Sequence, residues 1–315
     1  MGNILITEFM DPKQVERLSL EHNVSYEPEL YLDSKTLLDK SVNAQALIVR
    51  NKTNVDKELL DSVKDLKIIG RLGVGLDNID ISHCKEKNVP IVVAEGANAK
   101  SVCEYIIMGL LTLFRGTGAS TESILKGKWD RSGHIGSEIN GKTLGIVGIG
   151  TIGRTIAENA RTMGMNLIGN DIEISDDDEI WRDLSIECCS FEDLIQRSDA
   201  ITLHIPLNQE THNLFNEDVF KKMQKGSFII NTSRGGIVNE SDLLKYLKNG
   251  HLGGGMLDVF ENEPIKDPAP FSGHKNLILT PHIAGLTVES NVRVSQSISD
   301  KILDFLISGE KNERP

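Results

Sequence analysis

The sequence predicts an α/β protein of two domains, each a parallel sheet with helices on both faces. Three observations lead there. The chain has 315 residues, long for one hydrophobic core and comfortable for two. Short apolar runs alternate with amphipathic helical stretches along nearly the whole length, the pattern of strands joined by crossover helices. Glycines are plentiful at 28 while aromatics are 5%, which suits many tight strand-to-helix turns.

Taken in order, NILIT (3–7), ALIVR (46–50), LKIIGR (66–71) and PIVVAE (90–95) read as strands. Between them lie stretches such as 54–65, which set Val55, Leu59, Leu60 and Val63 on one helical face. The run from Ser101 to about Ser120 reads as a buried helix, too short to cross a membrane and broken by Gly109. Residues 126–141 are polar and glycine-rich, a connecting arm. A second strand–helix series begins with TLGIVG (143–148), followed by a helix from Thr151 and the strand NLIGND (166–171). The run DDDE (176–179) reads as a solvated loop. AITLHI (200–205), SFIIN (227–231), GGGMLDV (253–259) and NLILT (276–280) are later strands, and 288–309 is a tail helix.

Composition excludes several classes. The net charge is −12, from 34 Lys+Arg against 46 Asp+Glu. Such a surface repels nucleic acid and anionic lipid. Neither is an expected partner, although a local arginine cluster still suits a small anion. Cys84, Cys103, Cys188 and Cys189 form no C-x-x-C pair, and no His cluster has metal-ligand spacing, so reduced cytosolic thiols and no metal are expected. The opening MGNILITEFM fits neither a signal peptide nor a myristoylation site. The expected location is the cytoplasm.

The strongest local signal is GIVGIGTIGRTIA at 145–157, where Gly148, Gly150 and Gly153 form G-x-G-x-x-G with Thr151 and Ile152 inside it. The motif follows an apolar strand and opens a helix, the context a dinucleotide site needs. Gly148 permits the tight turn, Gly150 lets a pyrophosphate approach the backbone, and Gly153 lets helix and strand pack closely. N–H groups at the helix start then hold the phosphates. The next strand ends at Asp171, eighteen residues past Gly153. A carboxylate there accepts from a ribose diol and repels a 2′-phosphate, which predicts NAD rather than NADP.

Further segments carry a specific resemblance: RLGVGLDNID (71–80), INTSRGGIVNE (230–240), LDVFENEP (257–264) and LTPHIAG (279–285). With the glycine motif, they resemble the D-isomer-specific 2-hydroxyacid dehydrogenases over about residues 45–290. Within that family the similarity is to the catalytic part of the phosphoglycerate dehydrogenases. The resemblance implies two Rossmann-like or flavodoxin-like domains. Residues 1–98 plus 288–315 would form a discontinuous substrate-binding domain, and 99–287 an NAD-binding domain. It also implies an active site in the cleft between the domains, and a homodimer.

Oxidising a secondary alcohol needs a proton acceptor, a hydride acceptor and a clamp on the carboxylate. His282, just past a strand, is the candidate base, because imidazole titrates near working pH. Glu263 is its candidate orienter, a carboxylate that fixes the ring tautomer; an exposed acidic loop is the plain alternative. Arg234, on a turn before two glycines, is the candidate clamp, since guanidinium binds a carboxylate in a two-point fork. By resemblance, Gly73, Val74 and Gly75 hold the substrate carboxylate through backbone N–H groups. His204, Ile205 and Pro206 border the adenine, with a strand-core role the alternative for His204. Thr232, Ser233 and Asp258 lie along the nicotinamide side, and Gly285 closes the cofactor set.

Arg50 ends the strand ALIVR and Arg71 stands just before the carboxylate loop. They suggest a substrate with a second anionic group, phosphate, sulfonate or carboxylate, with 3-phosphoglycerate the leading candidate and sulfolactate its rival, unless they are ordinary surface charges. A cofactor-sensing corepressor is the non-enzymatic alternative. It is disfavoured by the absence of a basic patch or a polar recruiting tail.

Overall fold

Ala46–Val49 is apolar at every position and buried at every position, as a parallel strand covered on both faces requires. That pattern recurs through a computed structural model that describes residues 2–117, 120–274 and 276–312. The chain divides into two units, Met1–Asn98 with Leu286–Pro315, and Ala99–Gly285.

The first unit runs β1 (Asn3–Ile6), α1 (Pro12–Ser19), β2 (Asn23–Tyr26), α2 (Ser34–Ser41), β3 (Ala46–Val49), α3 (Lys57–Ser62), β4 (Ile68–Arg71), α4 (Ile81–Glu86) and β5 (Ile91–Val93). Its sheet has the order β2-β1-β3-β4-β5, with every pairing parallel. Asp33, Asp56 and Asp80 each accept a backbone N–H at the start of the helix that follows, which satisfies donors the helix itself leaves open. The C-terminal helix α12 (Val288–Asn312) returns to this unit. Its Val294, Ile298, Ile302 and Leu303 form one buried cluster with Ile4, Ile6, Ile48 and Ile68.

The second unit runs α5 (Ala99–Arg115), α6 (Ser120–Leu125), β6 (Thr143–Val147), α7 (Thr151–Thr162), β7 (Asn166–Asn170), α8 (Glu179–Asp183), β8 (Glu187–Cys188), α9 (Phe191–Arg197), β9 (Ala200–Leu203), α10 (Glu217–Lys222), β10 (Phe228–Asn231), α11 (Glu240–Lys248), β11 (Gly254–Leu257) and β12 (Leu277–Leu279). The sheet order is β12-β11-β10-β9-β6-β7-β8, again parallel throughout. The chain leaves β6 toward β7 on one side and later places β9 on the other. The carboxyl ends of β6 and β9 therefore bound the switch point where ligands bind in such sheets.

Three local expectations need correction. Gly109 does not break its helix: α5 continues through it, because a Cβ there would stand 2.3 Å from the Met256 sulfur. The glycine lets the helix lie close on β11 rather than ending it. The last part of that expected helix includes residues 118 and 119, which lie outside the described residues. The DDDE run is only partly loop, since Asp178 caps α8, which then buries Trp181. Edge strands β2 and β8 are additions to the strands read from the sequence: β2 (NVSY) alternates exposed Asn23 and Ser25 with half-buried Val24 and Tyr26 over only four residues, and β8 is two residues long.

Candidate active site

The glycine motif folds as its sequence requires. Gly148 has φ +93, and a Cβ on it would stand 2.6 Å from the His204 carbonyl oxygen. A Cβ on Gly153 would stand 2.2 Å from the Gly148 oxygen, so only glycine lets α7 approach β6 this closely. Gly150 differs: nothing lies within 4 Å of where its Cβ would be. It caps α7 without a side-chain hydrogen bond, so the N–H groups of Thr151, Ile152 and Gly153 open the helix uncapped. Asp171, at the end of β7, accepts from Ile149 N–H at 2.6 Å and from Glu173 N–H at 2.8 Å. Both carboxylate oxygens are thereby oriented beside the glycine turn, and each keeps a lone pair for another donor.

The rest of the expected cofactor set lies at the carboxyl ends of β9 to β12. The His204 ring bonds Thr202 Oγ1 at 2.9 Å, and burial pushes its pKa down to about 3, which keeps it neutral. Ile205 packs partly against the core beneath, while Pro206 is exposed. The Thr232 hydroxyl, just past β10, is buried with no hydrogen-bond partner, and Ser233 bonds Asn231. Gly285 is half-buried at the end of the unit. Open space at Gly150, uncapped N–H groups, the oriented Asp171 and the orphaned Thr232 hydroxyl together fit a dinucleotide.

Arg234, Glu263 and His282 come from three separate loops of this unit. Asn231 is the organiser that sequence reasoning missed. It is buried, donates to the Arg234 carbonyl at 2.8 Å and accepts from Ser233 N–H and Oγ, which locks the turn carrying Arg234. Its only sequence signal is its place at the end of β10. Gly235 then lets this turn meet the next loop, since a Cβ there would stand 1.7 Å from the Phe260 oxygen. Glu263 Oε1 accepts from Phe260 N–H at 3.0 Å, and Glu263 Oε2 lies 2.7 Å from His282 Nδ1. Burial alone would raise the Glu263 carboxyl. The hydrogen bonds from His282 and Phe260 and the Arg234 charge outweigh it and hold Glu263 below the usual carboxylate value. An ionised carboxylate can only accept, so Nδ1 carries the proton and Nε2 offers its lone pair. His282 is exposed, so that nitrogen can take a proton from a substrate hydroxyl or return one to a keto oxygen.

The residues expected to bind substrate belong to the first unit. Val49 pairs with Arg71 across β3 and β4, so Arg50 and Arg71 leave the sheet at the same end. Buried Glu8 holds the loop after β3, accepting from the N–H groups of Arg50, Lys52 and Thr53 at 2.8, 3.1 and 2.9 Å. The Arg50 side chain donates to Asn291 Oδ1 at 2.8 Å. Burial lowers its pKa, and the Glu8 charge opposes that shift. The Arg71 guanidinium lies over Gly73, where Nη1 would be 1.5 Å from a Cβ. Val74 is exposed and Gly75 half-buried beside it.

Residues 107–284 match the family model described as D-isomer specific 2-hydroxyacid dehydrogenase, NAD binding domain. The chain is 43% identical over 302 residues to the (S)-sulfolactate dehydrogenase of Chromohalobacter salexigens, covering 96% of this chain and 97% of that one. It is 38% identical over 260 residues to the D-3-phosphoglycerate dehydrogenase of Bacillus subtilis, covering 82% of this chain but 49% of that longer protein. The solved NAD-dependent formate dehydrogenase from Staphylococcus aureus, in complex with NAD, matches with a TM-score of 0.82 at 28% identity, covering 97% of this chain and 96% of that one. The chain belongs to the D-isomer specific 2-hydroxyacid dehydrogenase family. It is an NAD-dependent oxidoreductase of 2-hydroxy acids, acting on the CH–OH group.

Proposed function

We propose that the substrate is a 2-hydroxy acid with a second anionic group, sulfonate or phosphate, and that His282, Glu263 and Arg234 carry out its oxidation. The observation that carries the substrate reading is the Arg71 guanidinium lying over the Gly73-Val74-Gly75 loop, with Arg50 at the same end of the sheet. One arginine beside a carboxylate-binding loop suits a monoanion; two suit a dianion. Sulfolactate leads over 3-phosphoglycerate because the sulfolactate dehydrogenase relative is 43% identical over 302 residues, while the phosphoglycerate dehydrogenase relative is 38% identical over 260.

In this reading Arg234 holds the substrate carboxylate and polarises the C2 oxygen. His282 Nε2 takes the hydroxyl proton, and Glu263 compensates the imidazolium that results. NAD, which the Gly148-Gly150-Gly153 turn and Asp171 would hold, would supply the hydride acceptor. A cytoplasmic homodimer completes the reading. The dimer is supported by the exposed apolar side chains of Leu125, Trp129 and Ile135, and the compartment by four free cysteines.

The test is NADH oxidation by the purified protein against sulfopyruvate, phosphohydroxypyruvate, oxaloacetate, pyruvate and glyoxylate, with His282→Ala as control. Preference for a dianionic keto acid, abolished in the variant, upholds the reading. Preference for pyruvate or glyoxylate removes the second anion. NADH binding without turnover of any member points instead to a cofactor-sensing role.

A further inference from the structure

His282 has a backbone φ of +57. A side chain other than glycine rarely adopts that conformation, and it persists only where its surroundings over-determine it. Here the surroundings converge on one residue. The His282 N–H donates to the Asp258 carbonyl at 2.8 Å. The Asp258 carboxylate, 1% exposed, accepts from the N–H of Ile283 at 2.8 Å and of Ala284 at 2.8 Å. It also accepts from the Thr280 hydroxyl at 2.6 Å. Asp258 therefore bonds the residue on each side of the Pro281-His282 pair as well as His282 itself. The Thr280 proton is thereby committed to Asp258.

The geometry points to Thr280 and Asp258 as positioning residues that hold the His282 backbone left-handed and so aim its ring at Glu263. Neither needs to touch the reacting atoms. Ala284, whose N–H Asp258 holds, is buried in the same cluster as Val102 and Ile106 of α5, Ile230 of β10 and Met256 of β11, which ties the turn to a rigid part of the core. A turn held by one bond can pivot about it. Three bonds to one carboxylate leave it a single orientation.

This inference rests on reading His282 as the base, and its experiment separates the two. Asp258 is too deeply buried to change safely, so the variants are Thr280→Val and Thr280→Ser in the full chain. Each is followed by kcat and KM for the keto acid, by NADH affinity, and by the NMR signal of the hydrogen-bonded His282 Nδ1 proton, identified by its absence in His282→Gln. Thr280→Val is expected to lower kcat by about 10- to 100-fold. It should change KM and NADH affinity by less than about threefold and shift or abolish the Nδ1 signal. Thr280→Ser should restore both readouts. An unchanged Nδ1 signal in Thr280→Val overturns the inference, and so does a loss confined to NADH affinity, which would make Thr280 a cofactor contact. If the unaltered protein turns over no keto acid, the reading of the activity fails, while the Nδ1 signal still decides the positioning role.

Discussion

His282 Nδ1 and Glu263 Oε2 lie 2.7 Å apart, joined across two loops that leave neighbouring strands β11 and β12. The carboxylate fixes which ring nitrogen carries the proton and compensates the ring when it is protonated. In the proposed reading keto-acid reduction draws its proton from this ring, so the pair would set the rate of reduction. His282→Gln is expected to lower kcat by roughly 10²- to 10⁴-fold. Glu263→Gln keeps an acceptor for Nδ1 but loses the charge, and it should lower kcat/KM by about tenfold. Steady-state kinetics of the two variants beside the parent protein check this.

Gly150 and Gly153 should separate cofactor binding from folding. A Cβ on Gly150 meets nothing within 4 Å, whereas one on Gly153 would stand 2.2 Å from the Gly148 oxygen. Gly150→Ala is therefore expected to unfold within about 0.5 kcal/mol of the parent, yet bind NADH at least about tenfold more weakly. Gly153→Ala should lose about 1–3 kcal/mol of stability as well, because backbone has to move. Thermal unfolding and NADH fluorescence titration of both proteins decide it.

Arg71→Ala should discriminate between substrates. With its guanidinium gone from above Gly73, KM for a dianionic keto acid should rise about 10- to 100-fold, the worth of one charge-assisted hydrogen bond at roughly 1.5–3 kcal/mol. KM for pyruvate should change far less. An equal rise for both would place Arg71 at the common carboxylate.

A pH-dependent contact holds α3 to α4. The His83 ring lies between Asp61 Oδ1 at 2.9 Å and Glu86 Oε2 at 3.0 Å, and Lys87 Nζ also reaches Asp61 at 2.9 Å. Hydrogen bonding to Asp61 raises the His83 pKa above its ordinary 6.5. Bonds from Lys87 and His83 lower Asp61 to about 2. His83 is thus held more tightly when charged. Its contribution is fully present below pH about 6.5 and is lost as pH rises through the higher folded value. The Tm difference between the parent and His83→Gln should be larger at pH about 5.5 than at pH about 8.5. The opposite order would show that His83 is held as the neutral ring.

Much of this site was legible in the chain. The glycine motif, the carboxylate ending the next strand, and the segments carrying Arg234, Glu263 and His282 each combine a local pattern with a defined place at a strand end. That place follows from apolar periodicity, because burial of a parallel strand on both faces dictates its composition. The short edge strands β2 and β8 were not legible, since neither is covered well enough to need that composition.

By itself the sequence determined the fold class and the dinucleotide turn, which follow from periodicity and from steric demands within a few residues, and it singled out the candidate acid–base residues through the family resemblance of the segments that carry them. Only the tertiary structure decided how those residues are held. Asn231 locks the turn of Arg234, and Gly235 admits the Phe260 carbonyl. Glu8 gathers the loop of Arg50, and Asp258 joins Thr280 to the left-handed His282. A buried polar group must find a partner, but which one depends on which strands lie side by side. Residues 258 and 280 become neighbours only once β11 and β12 have paired.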